Sequence, residues 1–365
     1  MALRCGIVGL PNVGKSTLFN ALSGAGADAA NYPFCTVEPN VGAVPVPDER
    51  LPRLGELTGS DDVTPTSIEF VDIAGLVKGA SEGEGLGNQF LGHVREVDAL
   101  VHVVRCFEGT DVAHVEGSVD PARDVEVIDT ELLLKDLDSV EQRVEKTRRK
   151  VRGGDQDVKA ALDFFERLQD HLADGHPARS LELRSEREQA WLGELFLLTD
   201  KPVLYAANVA EDDLPGGNEH VEAVRKIAAR EDAEVVTFCA ELEMQLVDLD
   251  EEERALFLNE MGLDRPGLER LIRAAYDLLG LITFFTTQSD KVEAWTVSQG
   301  TQAPAAAGAI HSDFERGFIR AETIPFADYA RHGSEAAARE AGALRTEGKD
   351  YVVSDGDVIR FRFNV

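Results

Sequence analysis

One eight-residue motif near the start of the chain constrains the fold more than any other feature. Gly9-Leu10-Pro11-Asn12-Val13-Gly14-Lys15-Ser16 matches the pattern G-x-x-x-x-G-K-[ST]. It follows an apolar segment at residues 3–9 that has the composition of a buried strand, and a helix is predicted to begin at Lys15. The pattern binds phosphate when it lies in a glycine-rich turn between a strand and a helix, and this order is predicted here. The motif therefore predicts an α/β domain with a phosphate-binding loop after its first strand.

The residue types in this loop suit a nucleoside triphosphate. Its glycines let successive backbone N–H groups turn toward a phosphate, and the N-terminus of the following helix adds positive potential. We expect Lys15 to reach the β- and γ-phosphates and assist catalysis, the Ser16 hydroxyl to ligate Mg²⁺, and Thr17 to contact the α-phosphate. The predicted binding residues on the phosphate side are Asn12, Val13, Gly14, Lys15, Ser16 and Thr17.

A second motif completes the predicted magnesium site. Asp72-Ile73-Ala74-Gly75 follows a strand-like segment at 67–72. We expect Asp72 to hold Mg²⁺ through a water and the Gly75 N–H to sense the γ-phosphate. Thr36, in the loop between the two motifs, is the candidate second hydroxyl ligand, ordered by the triphosphate. The alternative for Thr36 is an ordinary loop threonine.

The residue after this motif bears on hydrolysis. Leu76 stands where Ras-like GTPases have a glutamine that orients the attacking water. Because leucine cannot hydrogen-bond water, we expect slow intrinsic hydrolysis or help from another group. His114, in the polar loop after a predicted strand at 98–105, is the candidate for this catalytic role. A surface histidine without a role is the alternative.

A third motif lies where GTPases read guanine with N-K-x-D. The predicted strand at 202–207 is followed by Asn208-Val209-Ala210-Glu211. Glu211 is longer than the aspartate of N-K-x-D, so its carboxylate oxygens are displaced from the guanine edge. Val209 lacks the long aliphatic chain with which the lysine of that motif packs along the base. The N1–H and 2-amino groups of guanine would then lack an acceptor, and a site that leaves these donors unpaired disfavours the binding of guanine. We therefore expect Asn208, Val209 and Glu211 to face the base, and the pattern weakens the case for GTP without proving ATP.

Two further regions interrupt and follow the α/β pattern. A charged helix starting at Asp120-Pro121 and a second helix after Arg152-Gly153-Gly154-Asp155 predict an antiparallel coiled-coil hairpin, although two such helices could also pack on the sheet. After Gly280, short strands predict a small α+β domain. The predicted segments are 1–125 and 199–279 as two parts of a nucleotide-binding G domain, 126–198 as the hairpin insertion, and 280–365 as the C-terminal domain.

Composition limits the class of protein. With 37 Lys+Arg and 67 Asp+Glu the formal net charge is −30, which argues against a chain whose whole surface grips nucleic acid. Adaptation to a salty cytoplasm is the simplest interpretation of that charge. The four cysteines form no C-x-x-C pair, and no segment has about 18 uninterrupted apolar residues. We expect a cytoplasmic protein without a membrane span.

Taken together, the motifs resemble one family closely. The loop Gly9–Thr17, Asn31–Asn40, Asp72–Ala80 and Asn208–Glu211 resemble the YchF family of Obg-like ATPases, and 313–321 with 347–351 resembles that family's TGS domain. The resemblance implies an α/β P-loop NTPase fold with a mostly parallel sheet, the inserted hairpin, and a β-grasp-like TGS domain. It also implies a preference for ATP over GTP, Mg²⁺ as cofactor, and a catalytic histidine matching His114.

The resemblance further implies a partner. We expect a monomer that associates with the ribosome, through its large subunit, or with RNA. The contacts are expected from the basic tip of the hairpin, which carries Lys146, Arg148, Arg149, Lys150 and Arg152. They are also expected from the positive side chains of the TGS domain, which are Arg316, Arg320, Arg345, Lys349, Arg360 and Arg362. A solvated helix end and an ordinary charged β surface are the alternatives. For the whole chain, the alternatives to an ATPase are a GTPase and a nucleotide-gated ribosome- or RNA-binding module that hydrolysis only resets.

Overall fold

The computed structural model describes residues 3–25, 40–73, 86–109, 117–151, 155–288 and 291–364. The chain divides into two compact units. The first contains Met1–Gly42 and Glu69–Ala274, and the second contains Ala43–Ile68 and Ala275–Val365. In the described residues no helix is both long enough and apolar enough to cross a membrane.

A six-stranded sheet organises the first unit. Its order is β2 (Val41–Pro45), β4 (Ser67–Asp72), β1 (Arg4–Val8), β5 (Ala99–Arg105), β6 (Val203–Asn208) and β7 (Val235–Phe238). The pairs from β4 to β7 are all parallel. Every residue of β5 and β6 is buried, as expected for parallel strands covered on both faces. The predicted α/β sheet is therefore confirmed.

The helices of this unit connect and cover the strands. They are α1 (Lys15–Ala25), α3 (Leu86–Glu96), α4 (Pro121–Lys150), α5 (Gln156–Ala173), α6 (Glu186–Gly193), α7 (Glu219–Ala228), α8 (Ala240–Val247), α9 (Glu251–Glu260) and α10 (Gly267–Leu278), the last of which continues into the second unit. Because the strands are parallel, the loops that leave their carboxyl ends lie along one edge of the sheet, where ligands bind in such folds.

The helices α4 and α5 form the predicted hairpin. Asp120 caps α4 by accepting a hydrogen bond from the Arg123 N–H, and proline occupies the first turn. Arg148 near the end of α4 pairs with Glu166 at 2.7 Å, whereas Glu141, earlier in α4, accepts from Gln169, later in α5. This reversed order makes the two helices antiparallel. Between them lies an apolar core of Val140, Val144, Phe164, Phe165, Leu168 and Leu172.

The first turns of α4 belong to the packing of the α/β sheet rather than to the hairpin. Val125 and Ile128 are buried there, ahead of the paired region. Farther along, the Asp136 carboxylate accepts hydrogen bonds from the backbone N–H groups of Leu198 at 2.9 Å and Thr199 at 2.7 Å. A single helix thus runs from the sheet into the hairpin, and the predicted boundary at 125/126 falls inside it.

The second unit has its own six-stranded sheet. Its order is β11 (Arg345–Glu347), β10 (Phe318–Pro325), β12 (Asp357–Phe363), β8 (Leu281–Gln288), β9 (Lys291–Ser298) and β3 (Asp62–Thr64). The helices are α2 (Arg50–Thr58), α11 (Ala303–Ile310), α12 (Ser312–Arg316), α13 (Phe326–His332) and α14 (Glu335–Glu340). The sheet mixes parallel and antiparallel pairs, so this unit is α+β, as predicted. Outside these strands, Gln302 and Val352 form an isolated antiparallel bridge.

A segment from early in the chain joins this second unit. The strand β3 pairs with β9, and Leu51 and Leu54 of α2 share a core cluster with Phe285 of β8. The guanidinium of Arg50 binds the Asp355 carboxylate at 2.6 Å. The sequence placed these residues in the first G-domain segment; the structure groups 43–68 with 275–365 because the apolar stripe of α2 is buried on the C-terminal sheet.

Candidate functional site

The phosphate-binding loop joins β1 to α1 and has an unusual backbone. Gly9, Asn12 and Gly14 have φ of 152°, 64° and 101°. A Cβ atom at Gly9 would lie 2.5 Å from the carbonyl oxygen of Val103, so only glycine fits there. The loop therefore passes very close to β5, and its positive φ values curve the backbone into a concave turn ahead of α1.

The side chain of Lys15 is buried beneath this loop. It is 7% exposed, and its Nζ donates to the carbonyl oxygen of Leu10 at 2.7 Å. Burial lowers the pKa of Lys15 to about 8, while the negative charge of Asp72 opposes that shift. Burial likewise raises the pKa of Asp72, against the effect of Lys15. The two groups are thus close enough to interact electrostatically, one from each of the two predicted phosphate-site motifs.

The first turn of α1 adds to the positive potential. The helix has no acidic residue in that turn, so nothing on it offsets the unpaired N–H groups and the helix dipole. Ser16 is exposed there. Backbone N–H groups, the Lys15 ammonium and the Ser16 hydroxyl thus present hydrogen-bond donors suited to a polyphosphate.

Asn208 ties this loop to the neighbouring loops of the sheet. Its side-chain Nδ2 donates to the carbonyl oxygen of Val13 at 3.0 Å, and its Oδ1 accepts from the backbone N–H of Ala240 at 3.0 Å. The side chain is 4% exposed. The Asn208 amide thus joins the phosphate-binding loop to the loop after β7, and its predicted contact with the base stays a prediction.

These loops surround a cavity of about 550 Å³. Its volume lies within the range of about 300–1,000 Å³ that is common for small-molecule sites. The lining includes most of the predicted binding residues, which are Asn12, Gly14, Lys15, Ser16, Thr17, Asn208, Val209 and Glu211. Val13 is buried behind this lining and contributes its carbonyl group to Asn208. The two predicted halves of the site, phosphate and base, therefore meet in one cavity.

The base side of the cavity combines an apolar wall with an acidic rim. Phe107 lines it, and the guanidinium carbon of the buried Arg105 lies 4.5 Å from the centre of that ring. Val209 is 2% exposed, whereas Glu211 is exposed at the start of a short 3₁₀ turn. Phe107 was not among the predicted binding residues. Its position two residues after the end of β5, the strand that pairs with β1, was the available signal.

Several predicted residues lie outside the described part of the chain. These are Thr36, Gly75, Leu76 and His114. Their roles in Mg²⁺ binding, γ-phosphate sensing and hydrolysis stay predictions.

The described residues fit a magnesium ion beside a bound triphosphate. The Ser16 hydroxyl and the Asp72 carboxylate are hard oxygen groups of the kind that Mg²⁺ prefers; Ser16 follows Lys15 directly in the chain, and Asp72 interacts electrostatically with Lys15. No group of three or more His, Cys, Asp or Glu side chains suited to a metal occurs among the residues that the structure describes. Mg²⁺ in phosphate sites commonly takes few protein ligands and completes its shell with waters and substrate phosphates.

Two family models match the chain. One, described as "50S ribosome-binding GTPase", matches residues 4–151 and therefore includes the phosphate-binding loop. The other, named YchF-GTPase_C and described as a protein of unknown function, matches residues 281–364. The first match covers most of the first predicted G-domain segment and the start of the predicted insertion, and the second covers nearly all of the predicted C-terminal domain.

Proteins of known name match the chain from end to end. The protein named "Ribosome-binding ATPase YchF" from Bacillus subtilis (strain 168) is 53% identical over 367 residues, with 100% of both chains covered. The protein of the same name from Escherichia coli O157:H7 is 54% identical over 365 residues, again with 100% of both covered. The solved structure of the Schizosaccharomyces pombe YchF GTPase is 38% identical and superposes with a TM-score of 0.90, over 99% of this chain and 98% of that one.

Proposed function

The chain belongs to the YchF family, and on that premise we propose that it is a Mg²⁺-dependent ATPase that hydrolyses ATP to ADP and associates with the ribosome. The observation that carries the proposal is the single cavity lined by both the phosphate-binding loop and the Asn208–Glu211 segment. One end supplies donors for a triphosphate and the other an apolar wall for a purine base.

At the phosphate end, Lys15 and the first turn of α1 neutralise negative charge. Lys15 is already desolvated, so its ammonium group interacts strongly with an anion that enters the cavity. A bound phosphate replaces the Leu10 carbonyl as its partner. The concave loop holds its N–H groups in place beforehand, so little reorganisation is needed when the triphosphate binds.

Magnesium is proposed to bind next to these donors through Ser16 and Thr36, with Asp72 holding it through a water. When bound, the ion neutralises charge that develops on the β- and γ-phosphate oxygens. The Gly75 N–H is proposed to contact the γ-phosphate. His114 is proposed to orient the attacking water in place of a glutamine, because Leu76 cannot do so, and intrinsic turnover is expected to be slow.

At the base end, the geometry favours adenine over guanine. Val209 is buried and apolar, and Phe107 offers a ring wall against which a purine can pack. The exposed Glu211 sits at the rim, one methylene longer than the aspartate that guanine recognition requires. Guanine would leave its N1–H and 2-amino donors without a well-placed acceptor, and this penalty does not apply to adenine.

The ribosome is the proposed partner. Both curated relatives described above carry the words "ribosome-binding" in their names, and the matched N-terminal family model refers to the 50S particle. We propose contact with the large subunit, made by the hairpin tip and by the C-terminal TGS domain, by a monomer in the cytoplasm.

A GTPase is the second candidate, because the fission yeast relative and the N-terminal family model are both described as GTPases. Isothermal titration with ATP and with GTP in the presence of Mg²⁺ decides between the two. We expect tighter binding of ATP; a tenfold preference for GTP, about 1.4 kcal/mol, would overturn the proposal. Lys15→Ala should bind neither nucleotide.

The same titration, repeated with ribosomes, tests whether turnover or binding is the output. A His114→Ala variant should keep its affinity for ATP and for ribosomes while losing hydrolysis. If this variant hydrolyses ATP at the wild-type rate, His114 has no catalytic role and another group orients the water. If neither the wild type nor the variant hydrolyses ATP with ribosomes present, the chain is a nucleotide-gated binding module.

A further inference from the structure

Another cavity lies within the hairpin, where α4, α5 and the end of α6 meet. Its volume is about 250 Å³, slightly below the range of about 300–1,000 Å³ that is common for drug-sized ligands. All three helices contribute to its wall, and its lining includes Arg143, Lys146, Lys150, Ala161, Phe165 and Trp191. None of these residues lines the cavity beside the phosphate-binding loop. We call this separate space the hairpin cavity.

Aromatic side chains form one wall of the hairpin cavity. Phe165 of α5 is buried, and its ring centre lies 6.4 Å from that of Trp191 on α6. The guanidinium carbon of Arg143 lies 5.0 Å from the centre of the Phe165 ring, a cation–π contact that holds the arginine in place. Ala161, one helical turn before Phe165, has a small side chain that leaves room beside this wall. The wall suits a flat apolar group, which aromatic rings contact by offset stacking or edge to face.

The carboxylates that line the hairpin cavity already have partners. Glu194, just after α6, accepts a hydrogen bond from the guanidinium of Arg143 at 2.5 Å. Asp157, near the start of α5, accepts one from Arg187 at 2.8 Å. Both pairs link one helix of the hairpin to α6 or its end. The negative charge in the lining is therefore compensated within the protein, and it leaves the remaining positive groups of the cavity without a counter-charge.

Those remaining groups are hydrogen-bond donors. Among the residues that the structure describes, the ammonium groups of Lys146 and Lys150 form neither an ion pair nor a hydrogen bond, and the indole N–H of the half-buried Trp191 has no acceptor. Lys146 and Lys150 are four residues apart on α4, a spacing at which like charges destabilise a helix. Two cations and one neutral donor thus line a cavity whose acceptors are already used. The combination calls for an anionic acceptor that the described chain does not supply.

We propose that the hairpin cavity binds a small aromatic carboxylate. A carboxylate has only acceptors, so it matches the two ammonium groups, with which it forms charge-assisted hydrogen bonds, and the indole N–H. Its ring packs against the aromatic wall, and the volume of the cavity favours a ring with a short acidic arm. An inorganic anion would leave the wall uncovered, and a neutral ring would leave the lysines without an acceptor. The proposal depends on neither nucleotide binding nor hydrolysis.

Phenylacetate is the probe, because one methylene group joins its ring to its carboxylate. Binding to the full chain is measured by ligand-observed NMR, and we expect a dissociation constant of about 1 mM or below for a ligand of this size. Acetate, which lacks the ring, and phenylacetamide, which lacks the charge, should each bind at least about tenfold more weakly. Equal affinity for either control ligand, or no saturation by phenylacetate up to about 10 mM, overturns the proposal.

Two pairs of variants locate the site. Lys146→Gln removes one ammonium group and should weaken phenylacetate binding about tenfold, whereas Lys159→Gln, at an exposed position of α5 outside the cavity lining, should bind like wild type. Ala161→Leu fills the cavity and should abolish binding. Ala160→Leu makes the same change at the neighbouring exposed position and should not. Thermal unfolding shows that each variant is folded, and equal affinities within either pair overturn the proposal.

Tryptophan fluorescence and competition complete the test. The chain has two tryptophans, so in a Trp295→Phe background the tryptophan emission comes from Trp191 alone. Saturating phenylacetate should change this emission, and an unchanged spectrum would contradict binding beside the indole. Displacement of phenylacetate by ATP would assign it to the nucleotide cavity and overturn the proposal. So would a short RNA duplex that binds and loses affinity in Lys146→Gln while phenylacetate does not bind, because the lysine would then serve RNA.

Discussion

The side-chain amide of Asn208 donates a hydrogen bond to the carbonyl oxygen of Val13 at 3.0 Å. The last residue of β6 therefore holds the middle of the phosphate-binding loop. Since the same side chain accepts from the backbone N–H of Ala240, the phosphate end and the base end of the cavity share one buried polar contact. A substitution of Asn208 therefore removes a hydrogen bond at both ends of the cavity.

Replacing Asn208 should weaken both nucleotide binding and stability. Asn208→Ala leaves the Val13 carbonyl and the Ala240 N–H buried without their partner, at a cost of about 1–3 kcal/mol for each group. We expect ATP affinity to fall at least tenfold, measured by titration calorimetry, with a lower thermal midpoint for the same variant. Ser139→Ala, on the hairpin helix α4, is the control and should change neither quantity. Wild-type ATP affinity in Asn208→Ala would show that the bridge does not shape the loop.

A methyl group at Gly14 should abolish nucleotide binding. Its Cβ would lie 2.3 Å from the Nδ2 atom of Asn208, and the φ of 101° is strained for any residue with a side chain. Gly14→Ala should therefore push the loop and Asn208 apart. Gly92→Ala is the matched control, because a Cβ there meets nothing within 4 Å and α3 gains about 0.5–1 kcal/mol of helix propensity. Tight ATP binding by Gly14→Ala, assayed by equilibrium dialysis, would contradict the close fit between the loop and the amide.

The buried Lys15 should make stability depend on alkaline pH. Its pKa is about 8 in the folded nucleotide-free chain, against an ordinary value of 10.5. Between these two values the unfolded chain binds more protons, so the contribution of Lys15 to stability rises with pH there and is constant below pH 8. Relative to Lys15→Met, the wild type should gain about 3 kcal/mol between pH 8 and 10.5. Urea unfolding of both proteins across that range is the measurement, and a constant difference between them would disprove the expectation.

The junction between α4 and the sheet should depend on one carboxylate. Asp136 accepts hydrogen bonds from two backbone N–H groups and from the Thr199 hydroxyl at 2.7 Å. Asp136→Ala should reduce the free energy of unfolding by about 2–4 kcal/mol, because these buried donors lose their acceptor. Asp138→Ala, at an exposed position of the same helix, should leave stability within about 0.5 kcal/mol of wild type. Equal thermal midpoints for the two variants would refute the assignment.

Local sequence patterns predicted the nucleotide-binding sheet well. The segments predicted as strands at 67–72 and 98–105 are β4 and β5, and the helix predicted from Lys15 is α1. These elements combine a continuous apolar run or a motif with nearby turn residues, so their signal lies within a few positions. That the phosphate and base motifs line one cavity is explained by the parallel strands, which bring the loops that follow them to one edge of the sheet.

Interactions between distant residues could not be predicted in this way. The bond from the Asn208 amide to Val13 could not be predicted, because Val13 lies 195 positions away and nothing near Asn208 shows that the loop carbonyl needs a buried donor. The three-residue strand β3 is too short for a periodic signal, and its partner β9 comes more than two hundred residues later. Long-range pairing, rather than local propensity, determined both outcomes.

The length of α4 has a mechanical consequence. Its 30 residues form one helix, in which Ile128 is buried near the start and Lys150 ends the helix in the hairpin. At 1.5 Å per residue the helix is about 45 Å long and its part from Ile128 to Lys150 about 33 Å, so a rotation of about 5° at Ile128 moves the far end by about 3 Å. A continuous helix of this length converts a small rotation near the sheet into a larger displacement of the hairpin end, where a bound partner would be moved with it.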